Sequence, residues 1–221
     1  MNLVKKYKFT IIFSSLFVIY FNICLFYFKG KTIPNFEILY YYSNNYKYQL
    51  WRLITYSFVH IDSIHYYSNL IMLIFNLTYF EFNENIYKIY ILFLTSSIIG
   101  ALGHDIYNNT ALVGSSCLCY GLCSNNIIYN IRNIIKYKSD EENQNEAIYQ
   151  IDVIYLIYNI FANICIFVEL DEDASMHSHL FSSLNGFLIG LLLCNDVKCK
   201  FIFILLYLSF FTYMIYLNYL L

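Results

Sequence analysis

The sequence predicts an all-α fold, a polytopic bundle of transmembrane helices. Of its 221 residues, 59% are hydrophobic and 13% are charged, whereas soluble domains carry about 25% charged residues. The apolar residues form runs of roughly 20, the length at which a helix crosses a bilayer. Because Pro34 is the single proline, almost nothing interrupts these helices. The net charge of -2 gives no indication of nucleic-acid binding, and the expected surroundings are a lipid bilayer.

Seven apolar segments follow one another, and residues 1–221 are predicted to form a single domain. The first, residues 9–28, is longer than the h-region of a signal peptide and is predicted to be a membrane helix. A long loop over residues 29–63 comes next, and polar loops are expected over 136–147 and 169–175. The later apolar segments cover residues 64–81, 87–103, 111–132, 150–169, 177–195 and 201–221.

Basic residues predict how these helices are oriented. Cytosolic loops of membrane proteins carry an excess of lysine and arginine. If the N-terminus is cytosolic, nine basic residues fall on the cytosolic side and four on the opposite side, which supports that orientation. The nine are Lys5, Lys6, Lys8, Lys88, Arg132, Lys136, Lys138, Lys198 and Lys200, and the four are Lys29, Lys31, Lys47 and Arg52.

Polar side chains within the apolar segments need an explanation, because each costs free energy in a membrane unless it is satisfied or used. In HIDSIHYYSN, residues 60–69, His65 and Asn69 lie four apart and share one helix face. His60 precedes that helix. In GSSCLCYGL, residues 114–122, a glycine precedes a predicted helix start at Ser116.

A third polar stretch is MHSHLFSSLNGFLIG, residues 176–190. His179 is followed there by Ser182, Gly186 and Gly190 at intervals that form one stripe of a helix. Small residues in such a stripe let another helix approach closely. The three polar stretches therefore fall on three separate predicted helices, the second, fourth and sixth.

These residue types favour an acyl-transfer site. A serine hydroxyl becomes a nucleophile when a base takes its proton, and histidine is the usual base. Ser116 as nucleophile and His179 as base would form the reacting pair. Asn69 and His65, with the Ser116 backbone N–H, would donate to the oxyanion that develops. Tyr120, one turn after Ser116, would pack against the His179 ring.

Each residue also has a purely structural interpretation. A serine at a helix start is often a cap, and intramembrane histidine or asparagine often joins two helices. His177 is a second candidate for the base, although two positions before His179 it points to another face. A zinc site is a further alternative, disfavoured because His-x-His on one helix does not converge on one ion; its ligands would be His60, His65, His177 and His179.

The order of these residues resembles the rhomboid family of intramembrane serine proteases over about residues 50–195. GSSCLCYGL resembles the family's G-x-S-G serine motif, and HLFSSLNG resembles its His-x-x-Gly-x-x-x-Gly motif. In that family a Trp-Arg pair in the first outer loop precedes a helix with His, His, Asn and Glu. The matching residues of this chain are Trp51, Arg52, His60, His65, Asn69 and Glu81.

The resemblance implies an intramembrane serine endopeptidase with a Ser116–His179 dyad and no acidic third member. Its expected partners are single-pass transmembrane proteins, cleaved in or near their membrane segment. Asn69 and His65 carry over as oxyanion stabilisers, and neither a metal nor a cofactor is expected. Supporting roles carry over to Tyr120, His60, Trp51, Arg52 and Glu81.

The resemblance also implies a six-helix core over about residues 9–195, with residues 201–221 as an added seventh helix. Eukaryotic secretory-pathway rhomboids have such a C-terminal helix, whereas mitochondrial members usually carry their extra helix at the N-terminus. A secretory-pathway or plasma membrane is therefore favoured over a mitochondrial one.

Two departures from the family pattern stand out. Cys117 replaces the glycine after the nucleophile, and it is expected to crowd the oxyanion site, so that Cys117→Gly would raise activity or leave it unchanged. Ser182 replaces the first glycine after the base. Cys117 keeps an alternative open, a catalytically inactive rhomboid-like protein that binds membrane clients for trafficking or degradation. A small transporter or channel is disfavoured because charged residues do not line a path through the membrane.

Overall fold

Seven long helices match the seven apolar segments in a computed structural model. It describes residues 7–28, 39–42, 49–60, 62–84, 86–108, 110–139, 146–166, 176–194 and 200–220. The helices are α1 (Lys8–Phe28), α2 (Arg52–Thr55), α3 (Ser63–Asn83), α4 (Ile86–Tyr107), α5 (Ser116–Ser139), α6 (Glu146–Cys165), α7 (Met176–Leu193) and α8 (Lys200–Leu220). The all-α prediction is confirmed, since within these ranges the extended pairing is an isolated bridge between Tyr41 and Leu112.

Two boundaries differ from the prediction. The helix expected from residue 111 begins at Ser116, because Gly114 has a φ of 105° that a right-handed helix does not contain. The polar loop expected over 136–147 is shorter, because α5 continues to Ser139 and α6 already begins at Glu146. The acidic loop expected over 169–175 lies outside the described residues.

Four of the described helices are long and apolar enough to span a membrane. They cover Tyr87–Tyr107, Glu146–Cys165, Met176–Leu193 and Lys200–Leu217. Helices α3 and α5 are also long enough to cross a bilayer, but they carry polar residues that face protein and lower their overall hydropathy.

Helix α5 is the centre of the bundle and contacts α3, α4, α6 and α7. Several of its asparagines are buried and bind polar groups on those neighbours, so they hold the helices together rather than facing lipid. Asn126 Nδ2 donates to Asn76 Oδ1 on α3 at 3.0 Å. Asn130 Oδ1 accepts from Asn159 Nδ2 on α6 at 3.2 Å. These contacts hold α5 against α3 and α6.

One end of the bundle is held together by charged residues. Glu84, at the end of α3, pairs with Lys88 of α4 at 2.5 Å and with Arg132 of α5 at 3.9 Å. Lys88 Nζ also donates to the carbonyl oxygen of Leu193, at the end of α7. The ends of α3, α5 and α7 thus meet at this face, and their beginnings meet at the opposite one.

The seventh long helix, α8, packs on α4 and α7. Among its described side chains Met214 is fully buried, and Tyr207 donates from its hydroxyl to Asn185 Oδ1 of α7 at 3.1 Å. Most of the other described side chains of α8 are exposed. It is therefore attached to one side of the bundle, as expected for an addition to a six-helix core.

Candidate active site

The chain turns sharply just before α5, at Gly114. A side chain there would be strained by the φ of 105° and would also meet the His65 ring, because an ideal Cβ would lie 2.7 Å from His65 Cε1. The Gly114 N–H donates to the carbonyl oxygen of Tyr56 at 3.0 Å. Glycine therefore lets the loop before Ser116 lie directly against His65 at the start of α3.

Ser116 and His179 are brought together although 63 positions separate them. His179 Nε2 lies 2.7 Å from Ser116 Oγ, which is within hydrogen-bonding distance. Both residues are buried, with 6% and 8% of their surfaces exposed. A serine hydroxyl held against an imidazole nitrogen is the arrangement in which histidine can accept the serine proton during attack.

Glycines allow α5 and α7 to approach closely enough for this contact. A Cβ at Gly186 of α7 would lie 2.0 Å from the backbone oxygen of Gly121 on α5, so the backbones are in direct contact. Gly121 is as crowded, because a Cβ there would lie 2.2 Å from Ser96 Oγ. The stripe of small residues predicted on α7 therefore allows α7 to pack closely against α5.

Tyr120 lies against the His179 ring as its spacing predicts. The two ring centroids are 4.6 Å apart with an interplanar angle of 37°. Tyr120 is one turn below Ser116 on α5, so the same helix presents both the hydroxyl and the aromatic surface that limits how the imidazole can turn. His177 has a different environment, since its ring stacks on Tyr107 at 4.0 Å.

His60 joins the start of α3 to the start of α5. Its Nε2 accepts a hydrogen bond from the Ser115 N–H at 3.4 Å, so this nitrogen carries no proton. Asn69 Nδ2 therefore donates to the same nitrogen, at 3.2 Å. Cys119 Sγ contacts the Asn69 carbonyl oxygen at 3.5 Å from the other side. Asn69 is thus positioned beside the residue that precedes Ser116.

Burial keeps His60 in its neutral form. Desolvation, reinforced by the neighbouring His65, lowers the pKa of His60 from 6.5 to about 3. At neutral pH the imidazole therefore has the lone pair that accepts from Ser115 and Asn69. A protonated His60 would lose both contacts, so its role as a support depends on this environment.

Comparison with known protein families places the chain in one of them. The family model described as Rhomboid domain matches residues 47–196, more than half of the chain. The chain belongs to the rhomboid family. It is a multi-pass membrane protein, since several of its helices can span a bilayer. No curated protein and no solved structure matches the chain.

Three of the predicted supporting residues of this rhomboid, Trp51, Arg52 and Glu81, make contacts that do not include Ser116 or His179. Arg52 is buried, and its Nη1 donates to the Tyr40 carbonyl oxygen at 2.6 Å. Trp51 precedes α2 and is half exposed. Glu81 accepts from the backbone N–H groups of Phe9 and Thr10, each at 2.8 Å, and thereby caps the start of α1. Each of these contacts holds a loop or a helix end.

Cys117 does not lie where the rhomboid pattern suggested. The prediction that its side chain crowds the oxyanion site is wrong, because Cys117 is completely buried and its thiol faces Gly100 on α4. The thiol also contacts the Tyr56 hydroxyl, which donates to the Ser97 carbonyl oxygen at 2.9 Å. Cys117 therefore packs between the start of α5 and α4.

Cys117→Gly is accordingly expected to lower the free energy of unfolding rather than raise activity. The glycine would cost about 1 kcal/mol in helix propensity and would leave the Tyr56 hydroxyl and the space beside Gly100 without the thiol. A thermal unfolding midpoint measured in detergent checks this. An unchanged midpoint together with faster turnover would restore the view that the side chain crowds the site.

Sequence reasoning missed one of the five histidines, His104. His104 is buried in α4, and its Nε2 lies 2.9 Å from the carbonyl oxygen of Thr110. This contact joins the end of α4 to the loop that leads to Gly114. A signal was present, since His104 comes directly after the apolar run 87–103, where a buried polar group can bind loop carbonyls.

The described part of the chain has no group of three or more His, Cys, Asp or Glu side chains that could hold a metal ion. Of the ligands in the zinc alternative, His60 and His65 lie beside each other, with ring centroids 5.1 Å apart, whereas the other two make separate contacts. His60 binds Ser115, His104 contacts the Thr110 carbonyl, His177 stacks on Tyr107 and His179 binds Ser116. These positions offer no common centre for the zinc alternative.

Proposed function

We propose that this rhomboid is an active intramembrane serine endopeptidase with Ser116 as nucleophile and His179 as general base. The observation that carries the proposal is the 2.7 Å contact between Ser116 Oγ and His179 Nε2. As the peptide carbonyl is attacked, the Ser116 proton passes to His179, which then donates it to the leaving amine. Water hydrolyses the acyl-enzyme in a second, similar step. Neither a metal nor a cofactor has a part in this chemistry.

The oxyanion of the tetrahedral intermediate would be stabilised from the α3 side and by the α5 N-terminus. Asn69 has two amide protons, one of which is donated to His60, and the other is proposed for the oxyanion. His65, which lies against Gly114, and the Ser116 backbone N–H complete the set. Amides in the first turn of a helix have no intrahelical partner and suit this role.

The orientation of the bundle supports a site at the non-cytosolic face. Lys88 and Arg132 lie at the end of the bundle opposite Ser116, and basic residues favour the cytosolic side. The N-terminus would then be cytosolic, although several of the predicted basic residues lie outside the described ranges. These are Lys5, Lys6, Lys29, Lys31, Lys47 and Lys198.

The proposed substrates are single-pass transmembrane proteins cut near that outer face. A helix protects its peptide bonds by its own hydrogen bonds, so a substrate must unwind locally before Ser116 can attack. Residues of low helix propensity near the cleavage site, glycine in particular, would lower that cost. The added helix α8 supports a secretory-pathway or plasma membrane location rather than a mitochondrial one.

A serine-directed fluorophosphonate probe tests whether the site is active. The purified protein in detergent micelles should label stoichiometrically at Ser116, and heat-denatured protein should not label. Native protein that neither labels nor cleaves any transmembrane reporter would establish the alternative, an inactive rhomboid that binds membrane clients for trafficking or degradation.

Asn69→Ala is expected to lower turnover about 10- to 1000-fold, the range for losing an oxyanion donor. The KM for a reporter substrate should change little, because Asn69 meets charge that develops after attack. Steady-state cleavage of that reporter measures both constants.

Asn76→Ala is the matched control for this variant. Asn76 is also a buried asparagine of α3, but it binds Asn126 and Cys123 in the middle of the bundle. Its loss should lower thermal stability while preserving turnover per folded molecule. If Asn69→Ala behaves in the same way, Asn69 joins helices and does not stabilise the oxyanion.

A further inference from the structure

Gly100 of α4 lies where two other helices meet. A Cβ at this position would be 2.5 Å from Ser182 Oγ on α7 and 2.6 Å from Cys117 Sγ on α5. It would also be 3.0 Å from Cys117 Cβ. Ordinary contacts begin near 3.4 Å, so any side chain at Gly100 would have to displace both neighbours by about 1 Å. All three residues are within the bundle, where neighbours have little space to move.

The two side chains that occupy this space are the two departures from the family pattern. Cys117 stands where the serine motif has glycine, and Ser182 stands where the histidine motif has glycine. Both are completely buried. The missing Cβ of Gly100, on a third helix, is what provides room for the thiol and the hydroxyl together.

We propose that Gly100 is a positioning residue for the Ser116–His179 pair, an inference that rests on the proposed function. Cys117 directly follows Ser116 on α5, and Ser182 is three residues after His179 on α7. A side chain introduced at position 100 would push against Cys117 and Ser182, and would thereby shift the helix segments that carry Ser116 and His179. The pair depends on a 2.7 Å contact, and a misplacement of about 1 Å can cost on the order of 100-fold in rate.

Other contacts prevent the two side chains from turning aside. Ser182 Oγ donates to the Ser96 carbonyl oxygen at 2.9 Å, one turn before Gly100 on the same helix. The Cys117 thiol contacts the Tyr56 hydroxyl. A rotation that relieved a clash with residue 100 would break one of these contacts inside the bundle.

Gly100→Ala is expected to lower the rate of fluorophosphonate labelling and the turnover of a reporter about 10- to 100-fold, with a smaller change in KM. Alanine is the better helix former, so propensity alone predicts the opposite, a more stable protein. Adding Cys117→Gly and Ser182→Gly to Gly100→Ala removes the three atoms nearest to the new methyl group. This triple variant should recover most of the lost labelling rate.

Gly103→Ala provides the matched control. Gly103 is one turn further along α4, and its Cβ would lie 2.4 Å from Phe181 Cδ2, so the substitution is at least as crowded. It contacts neither Cys117 nor Ser182 among its nearest atoms. The Cys117→Gly and Ser182→Gly changes should therefore fail to rescue Gly103→Ala.

The thermal unfolding midpoint tests the same inference without any activity. Cys117→Gly with Ser182→Gly should lower the midpoint when residue 100 is glycine and raise it when residue 100 is alanine. This reversal of sign in a double-mutant cycle would show that the three positions share one space. If Gly100→Ala fails to accumulate, recovery of folded protein in the triple variant gives the same answer.

Equal effects of the glycine pair in both backgrounds would overturn the proposal, as would rescue of Gly103→Ala by the same pair. A reversal of the unfolding midpoint without recovery of labelling would also overturn it, because Gly100 would then affect packing alone. If the wild-type protein neither labels nor cleaves, the proposed protease function fails, while the midpoints still decide whether the three residues share one space.

Discussion

Ser116→Ala is expected to abolish cleavage of a transmembrane reporter, with a loss on the order of 10⁴-fold or more. The hydroxyl that contacts His179 at 2.7 Å is the proposed nucleophile, and alanine leaves the imidazole with nothing to deprotonate. Alanine keeps the start of α5 helical, so the amount of folded protein in the membrane should be unchanged. Cleavage is read from the two reporter fragments at equal enzyme concentration.

Ser115→Ala is the control that separates the hydroxyl from its neighbour. Ser115 is adjacent in sequence and as deeply buried, but its Oγ lies 3.3 Å from His60 Nε2 and not beside His179. This variant should retain most activity. Should Ser115→Ala abolish cleavage while Ser116→Ala retains it, the nucleophile has been assigned to the wrong serine.

His179→Ala should be as damaging as Ser116→Ala, because a serine without its base is a weak nucleophile. The Ser116→Ala/His179→Ala double variant should be little worse than either single one, since residues that act as one unit are not additive. Turnover of the three variants under single-turnover conditions measures this. Independent, multiplying losses would mean that the two residues do not act together.

His177→Ala is the natural comparison for the base. His177 is two positions before His179 on α7, but its ring stacks on Tyr107 and not on Tyr120. Losing this stack should lower thermal stability slightly and leave most of the turnover. The opposite ranking of the two histidine variants would assign the base to His177.

Much of the candidate site could be predicted because it depends on spacing within single helices. His65 and Asn69 share a face whatever the bundle does, and Tyr120 follows Ser116 by one turn in any helix. The contact between Ser116 and His179 is between helices, but the small residues on α7 indicated that another helix approaches there. Local periodicity therefore carried information about which faces meet.

The position of the Cys117 side chain could not be predicted in the same way. Its direction depends on where α4 lies behind the start of α5, and no interval in the sequence connects Cys117 with Gly100. The surroundings of the polar residues on α5 could not be predicted either. A hydropathy pattern does not distinguish an asparagine that faces lipid from one such as Asn126, which binds a partner on another helix.

The buried asparagines of α5 also have a consequence for how the protein is made. A helix leaves the translocon for lipid when its side chains prefer hydrocarbon to water, and α5 is less apolar than α4, α6, α7 and α8. The partners of Asn126 on α3 precede it in the chain, whereas the Asn159 partner of Asn130 on α6 is synthesised later. We therefore expect α5 to enter the bilayer together with α3 and α6, after α6 has been synthesised, because the buried asparagines of α5 then have their hydrogen-bond partners.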